Sequence, residues 1–140
     1  MKYLLKKNRL IRHLPILPFI YGAIIPLVLI DIWTEVYHRI SFPLYGIPYI
    51  KRRDYIKIDR QKLSYLNPLQ KISCAYCGYA NGLLQYIVKI VAETEHYWCG
   101  IQHKQSKNFH APSHHKKFLN YGDEEQYMRE YGRKKTKWLF

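Results

Sequence analysis

Residues 74–82 read CAYCGYANG, and residues 95–104 read EHYWCGIQHK. The two stretches together hold all three cysteines of the chain. The fold turns on what the first of them does. Gly78, Asn81 and Gly82 are the composition of a turn, and the sequence on either side reads as helix. Upstream, Asn67 followed by Pro68 has the chemistry of an N-cap and a first helical position, opening a helix through LQKISCAYC. Downstream, Leu83, Leu84, Ile87, Ile90, Val91 and Trp98 recur at intervals of three and four, while Gln85, Lys89 and Glu93 take the opposite face. That is the pattern of an amphipathic helix from about Gly82 to Trp98. The expectation is two helices joined by a turn at 78–82.

A CxxC presents two sulfurs from one turn of chain, and Cys99 with His103 offers a second pair. Four Cys and His ligands around one ion make a structural zinc site, with donor atoms about 2.0–2.3 Å from the metal. Cys74, Cys77, Cys99 and His103 are therefore the candidate ligands, with zinc as the expected cofactor and iron as the alternative. Geometry attaches a condition. A straight helix over 83–98 is roughly 24 Å long at 1.5 Å per residue, so either the turn at 78–82 folds the CxxC back along it or the helix is shorter than this. An odd number of cysteines, two of them in a CxxC, argues against a secreted disulfide framework. Rival readings are small core thiols, a redox pair and a dimetal site. For the last, Glu35-x-x-His38 and Glu93-x-x-His96 have the required spacing, although Glu93 and His96 fall on the polar face. His110, His114 and His115 read as surface histidines of a loop, with an accessory metal cluster as the alternative.

Outward from the cysteines, residues 1–13 are a basic segment with Lys2, Lys6, Lys7, Arg9 and Arg12 and no acid. Residues 14–33, LPILPFIYGAIIPLVLIDIW, carry one charge, Asp31. About 20 apolar residues suffice to span a bilayer as a helix, and no small-residue cleavage site follows to mark a signal peptide. Pro15, Pro18, Gly22 and Pro26 disfavour a straight span. Both flanks are basic, and a re-entrant segment bending near Pro26 keeps both on the cytoplasmic side; it is favoured over a single span. Asp31, Glu35 and His38 stand at helical spacing beside this segment, where polar groups meet headgroup water or carry a function.

Residues 34–53 read as an interfacial segment. ISFPLYGIPYI is too short to cross, and Pro43, Gly46 and Pro48 oppose a regular helix. Lys51, Arg52 and Arg53 follow, placed to meet lipid phosphates. Residues 54–121 form the small Cys/His domain, in which DYIKIDR alternates like a short strand or extended segment. Residues 122–140 hold a short helix in DEEQYMREY with acids in its first turn. They end in a basic-aromatic tail, where Arg133, Lys134, Lys135 and Trp138 suit an interface or a protein groove.

Lys and Arg number 23 against 10 acids, a net charge of +13. Such a balance calls for a polyanion, either nucleic acid or anionic lipid. Fourteen tyrosines and three tryptophans supply amphipathic rings suited to a membrane interface or to stacking on bases; the apolar segment tips the reading toward lipid, with nucleic acid as a further alternative. No phosphate-cradling glycine loop, dinucleotide fingerprint or Ser-His-Asp arrangement is present, and no small-molecule substrate is indicated.

The run from FPLYGIPYIKRRDYIKIDRQKLSYLN through CAYCGYANG to EHYWCGIQHK resembles a family of small bacterial membrane-associated proteins with no assigned activity. The resemblance covers roughly residues 35–125 and implies a bacterial inner-membrane setting. The expected fold is mainly α: an N-terminal membrane-embedded helix or re-entrant segment, then a small helical, metal-stapled domain with long irregular segments on the cytoplasmic side. The expected function is non-catalytic, an accessory or assembly protein docking on anionic lipid and on a larger membrane complex. The alternative is a metal-dependent redox or electron-transfer protein, with iron at the same ligands or a Glu/His dimetal site.

Overall fold

The computed structural model describes residues 14–132. The chain is mainly helical, with no strand among the described residues. Among the described residues four α-helices follow in order: α1 (Leu17–Gly22), α2 (Ile24–Tyr45), α3 (Pro68–Trp98) and α4 (Glu124–Glu130). The described chain divides after Ile90 into two compact units.

The run Leu14–Tyr45 is one helical stretch of 32 residues with a mean hydropathy of 2.1 in its most apolar window, none of which is buried. Its prolines open helices instead of bending the chain back. Pro18 lies in the first turn of α1 and Pro26 in the first turn of α2, where a missing N–H belongs to no intrahelical bond. At the join, Ala23 keeps right-handed dihedrals (φ −62°, ψ −13°), so the expected re-entrant bend at Pro26 is absent. The helix also runs past Trp33 into the stretch 40–50 expected to be irregular, and ends halfway along it at Tyr45. Pro43 sits in its last turn, and Gly46 ends it at φ +68°. There the N–H groups of Gly46 and Ile47 donate to Pro43 O (3.2 Å) and Phe42 O (2.9 Å), a Schellman closure in which glycine takes the left-handed position.

α3 begins as the sequence indicates. Gln70 N–H donates to Asn67 Oδ1 (2.9 Å) and Asn67 N–H to Gln70 Oε1 (3.0 Å), a reciprocal capping box. The turn expected at 78–82 does not form; α3 continues through it for 31 residues. The reason lies in what crosses the helix. A Cβ on Gly78 would stand 2.7 Å from Lys57 O, and one on Gly82 would stand 2.6 Å from Tyr55 O and 2.8 Å from Ile56 Cα. Four residues apart, the two glycines share a face, and the backbone of 55–57 lies against it. These glycines supply a missing side chain, not a reversed backbone. Asn81 likewise turns inward on its own helix, donating Nδ2–H to Cys77 O (2.9 Å). Of the two alternatives for 54–60, a strand or an extended segment, the strand does not form; irregular chain runs between 3-10 turns at Arg52–Asp54 and Arg60–Lys62.

The core of the first unit joins Phe42 of α2 to Leu83, Tyr86 and Ile90 of α3, surrounded by Leu27, Tyr37, Ile47, Ile50, Tyr55, Ile56, Tyr79 and Ile87. The helical period expected for α3 is present, but its buried stripe passes through Tyr86, leaving Leu84, Val88 and Val91 exposed. α1 is tied to α3 by Tyr21, whose ring meets Tyr76 edge-on at 5.5 Å and whose hydroxyl lies 2.8 Å from Ser73 Oγ.

In the second unit, the end of α3 is followed by irregular chain, a 3-10 turn at Ser113–Lys117 and α4. Ile101 and Leu119 form an isolated parallel bridge, with Leu119 N–H on Gly100 O and Gln102 N–H on Leu119 O, both at 2.8 Å. α4 is capped by Asp123, which accepts from Gln126 N–H at 2.9 Å, and carries Glu124 and Glu125 in its first turn.

Candidate functional site

Two carboxylate and imidazole clusters stand out. The first grows from one face of α2, where Asp31, Glu35 and His38 succeed one another at intervals of four and three. Arg52 donates Nε–H to Asp31 Oδ1 (3.2 Å) and Nη2–H to Asp31 Oδ2. Tyr79 of α3 donates its hydroxyl to Asp31 Oδ2 (2.8 Å), and Tyr86 donates to Glu35 Oε1 (2.8 Å). Ile50 N–H donates to His38 Nε2 (3.2 Å), which places the lone pair of a neutral ring on Nε2 and its hydrogen on Nδ1. That Nδ1 lies 2.9 Å from the Tyr86 oxygen. A directed chain results: Ile50 N–H to His38, His38 to Tyr86, Tyr86 to Glu35. His38 is fully buried, stacked on Tyr49 at 4.3 Å and edge-on to Phe42 at 4.4 Å.

Burial and the bond to Asp31 push the Tyr79 hydroxyl up to about 12. Burial and the bond to Glu35 push Tyr86 upward as well. The Arg52 guanidinium is raised, first by its hydrogen bond to Asp31. All three groups keep their protons at any ordinary pH, so the network holds one hydrogen-bonding pattern. A groove of about 440 Å³ opens beside it, lined by Asp31, Glu35, Arg39 and Arg52 with Ile32 and Val36. Chemically this cluster ties α2, α3 and the 50–52 segment together. The sequence marks Asp31, Glu35 and His38 by spacing; it does not mark Tyr79 or Tyr86 as their partners.

The four expected zinc ligands divide between the two units, Cys74 and Cys77 in the first and Cys99 and His103 in the second. Cys74 is half-buried and Cys77 exposed on α3, Cys99 is exposed just past its end, and all three are free thiols. Because α3 passes unbroken through Gly78 and Gly82, no turn carries the CxxC back along the helix. His103 instead stands beside Phe109 (5.6 Å between ring centres) and His115 (5.3 Å).

That neighbourhood is the second cluster. Glu95, in the last turn of α3, has Oε2 2.9 Å from His114 Nε2 and Oε1 3.1 Å from His115 Nε2. One donor atom each from Glu95, His103 and His115 lies within 4.8 Å of the others, a candidate metal-binding group. His115 is buried and stacks on Phe118 at 5.0 Å; its Nδ1 has no partner. Burial alone would raise the Glu95 carboxyl, but the bonds and charge of His114 and His115 outweigh it and leave Glu95 below its ordinary value. Glu95 and His115 are twenty residues apart in sequence, and no spacing rule joins them.

Of the expected lipid-facing basic residues, Lys51 and Arg53 are exposed, while Arg52 is turned onto Asp31. Arg133, Lys134, Lys135 and Trp138 lie outside the described residues. No protein-family model, no curated protein and no solved structure matches the chain, so the two clusters rest on their own geometry.

Proposed function

We propose that this chain is a membrane-anchored, non-catalytic accessory or assembly protein that docks on anionic lipid and on a larger membrane complex. One observation carries the reading: the Leu14–Tyr45 run turns much of its apolar side-chain surface outward. Phe19, Ile25, Leu29, Ile32 and Trp33 are all more than half exposed, and burying a side chain of this size is worth about 1.5–3 kcal/mol. A surface of that extent calls for cover by lipid or by protein. At about 48 Å for 32 residues, the run exceeds the roughly 30 Å hydrocarbon thickness.

Two further features support the reading. The polar groups of the run are neutralised within the protein, since Asp31 meets Arg52 and Tyr79, and Glu35 meets Tyr86 and Arg39. α3 carries no charged residue from Ile72 to Val88 and turns Leu69, Ile72, Leu84 and Val88 outward, a surface suited to an apolar partner in the complex. The net charge of +13, with Lys51 and Arg53 exposed, fits an anionic leaflet. The resemblance to bacterial membrane-associated proteins makes the inner membrane the natural setting, with the remainder of the chain on its cytoplasmic side.

Alkaline carbonate extraction of membranes from cells producing the full chain tests the anchor. The protein is expected to stay in the pellet, and a variant with Ile25→Lys and Leu29→Lys to move to the supernatant. Release of the wild-type chain by carbonate would overturn the reading.

A further inference from the structure

The second cluster carries an inference that does not depend on the membrane reading. We propose that Glu95, His103 and His115 bind one divalent first-row metal ion, zinc in the first place, with His114 holding the Glu95 carboxylate in position. Two imidazoles and a carboxylate are a donor set for zinc with one coordination position left open, and the same set suits iron(II).

The geometry is close to what such an ion requires. Donors bound at 2.0–2.2 Å in a tetrahedron stand about 3.4 Å from one another. His115 Nε2 and Glu95 Oε1, at 3.1 Å, are already near that spacing, and all three donors lie within 4.8 Å of each other. The residue that must move furthest is best placed to do so: His103 is exposed on irregular chain, whereas Glu95 is fixed on α3 and His115 is packed on Phe118.

Hydrogen bonding supplies the second argument. His115 is 3% exposed and has two ring nitrogens, of which Nε2 meets Glu95 and Nδ1 has no hydrogen-bond partner. Buried polar atoms without partners are rare. Bound through Nε2, a cation leaves the ring hydrogen on Nδ1; the ligand set itself rests on the spacing of its three donors. His114 meets the other oxygen of the same carboxylate at 2.9 Å, the kind of outer support that orients a metal-binding group and tunes its affinity. None of the three thiols belongs to the set.

The test is zinc stoichiometry and affinity of the full chain in detergent micelles, by equilibrium dialysis with elemental analysis and by competition with a chromogenic chelator. One zinc per wild-type chain is expected. His103→Ala, at an exposed position that leaves the fold intact by circular dichroism, should weaken binding at least about 100-fold, and His114→Ala about 10-fold. The triple variant Cys74→Ser, Cys77→Ser, Cys99→Ser and the single variant His110→Ala should bind as wild type does. The proposal is overturned if the wild type takes up no stoichiometric zinc, if His103→Ala binds as tightly as wild type, or if the thiol substitutions abolish binding. Carbonate extraction reads the anchor separately, so failure of one proposal is distinguishable from failure of the other.

Discussion

In the first unit, Glu35 and His38 lie three residues apart on α2 and meet at the hydroxyl of Tyr86; in the second, Glu95 gathers His114 and His115 across nineteen and twenty residues of chain. The residue types are the same, and the difference is in hydrogen-bond closure. Around α2, both nitrogens of His38 and both oxygens of Glu35 and Asp31 have partners. A fully satisfied buried network rigidifies what it joins, and nothing in it is left to bind an ion. Around Glu95, a buried imidazole nitrogen is left over. Closure, not composition, separates a structural tie from a ligand set.

That contrast can be broken by substitution. The largest effect is expected from Tyr86→Ala, which removes a fully buried ring and strands Glu35 and His38; about 4 kcal/mol of stability should be lost. Tyr86→Phe keeps the ring and removes the shared hydroxyl, for a loss of about 1–2 kcal/mol. Chemical unfolding in micelles followed by circular dichroism measures both. Zinc affinity of Tyr86→Phe should equal that of wild type, and a parallel fall in affinity would show that the two clusters are not independent.

Gly82→Ala comes next. Its Cβ would press on the backbone at Tyr55 and Ile56, and overpacking of this kind costs about 1–3 kcal/mol, more than the roughly 1 kcal/mol of helix propensity gained. A net loss of up to about 2 kcal/mol is expected from the same unfolding measurement. If Gly82→Ala is instead stabilising, the close approach of 55–57 to α3 is wrong.

The smallest effect is the pH dependence of the Glu95 cluster. A carboxyl whose value is lowered by folding adds stability above the ordinary glutamate range, and that stability is lost as pH falls through the folded value. Metal-free protein should therefore lose stability on acidification through and below that range, and Glu95→Gln should flatten this part of the profile. An unchanged slope in Glu95→Gln would mean that the two histidine contacts contribute nothing to folding.

What the sequence reveals here is what is local. The Asn67-Pro68 start of α3, the Asp123 start of α4 and the apolar character of the N-terminal run each depend on neighbours within one or two turns, and each is legible without a partner. The CxxC stretch misleads because glycine has two uses. It permits a reversed backbone, and it leaves room for another chain; only the position of residues 55–57 tells which applies at Gly78 and Gly82. For the same reason the buried stripe of α3 passes through Tyr86, whose ring is apolar but whose hydroxyl needs a partner on α2. The motif pointed to His103, while its neighbours Glu95 and His115 come together by a loop closure that no period encodes.

Gly78 and Gly82 have one more consequence. Helical residues advance by about 100° each, so a slip of one position would bring Tyr79 and Leu83, or Cys77 and Asn81, under the carbonyls of Tyr55 and Lys57, where no Cβ fits. The bare strip works as a keyway: α3 enters its seat at a single rotation. That rotation is the one that aims Tyr79 at Asp31 and Tyr86 at Glu35, so two absent side chains index the two hydroxyls that the polar network needs.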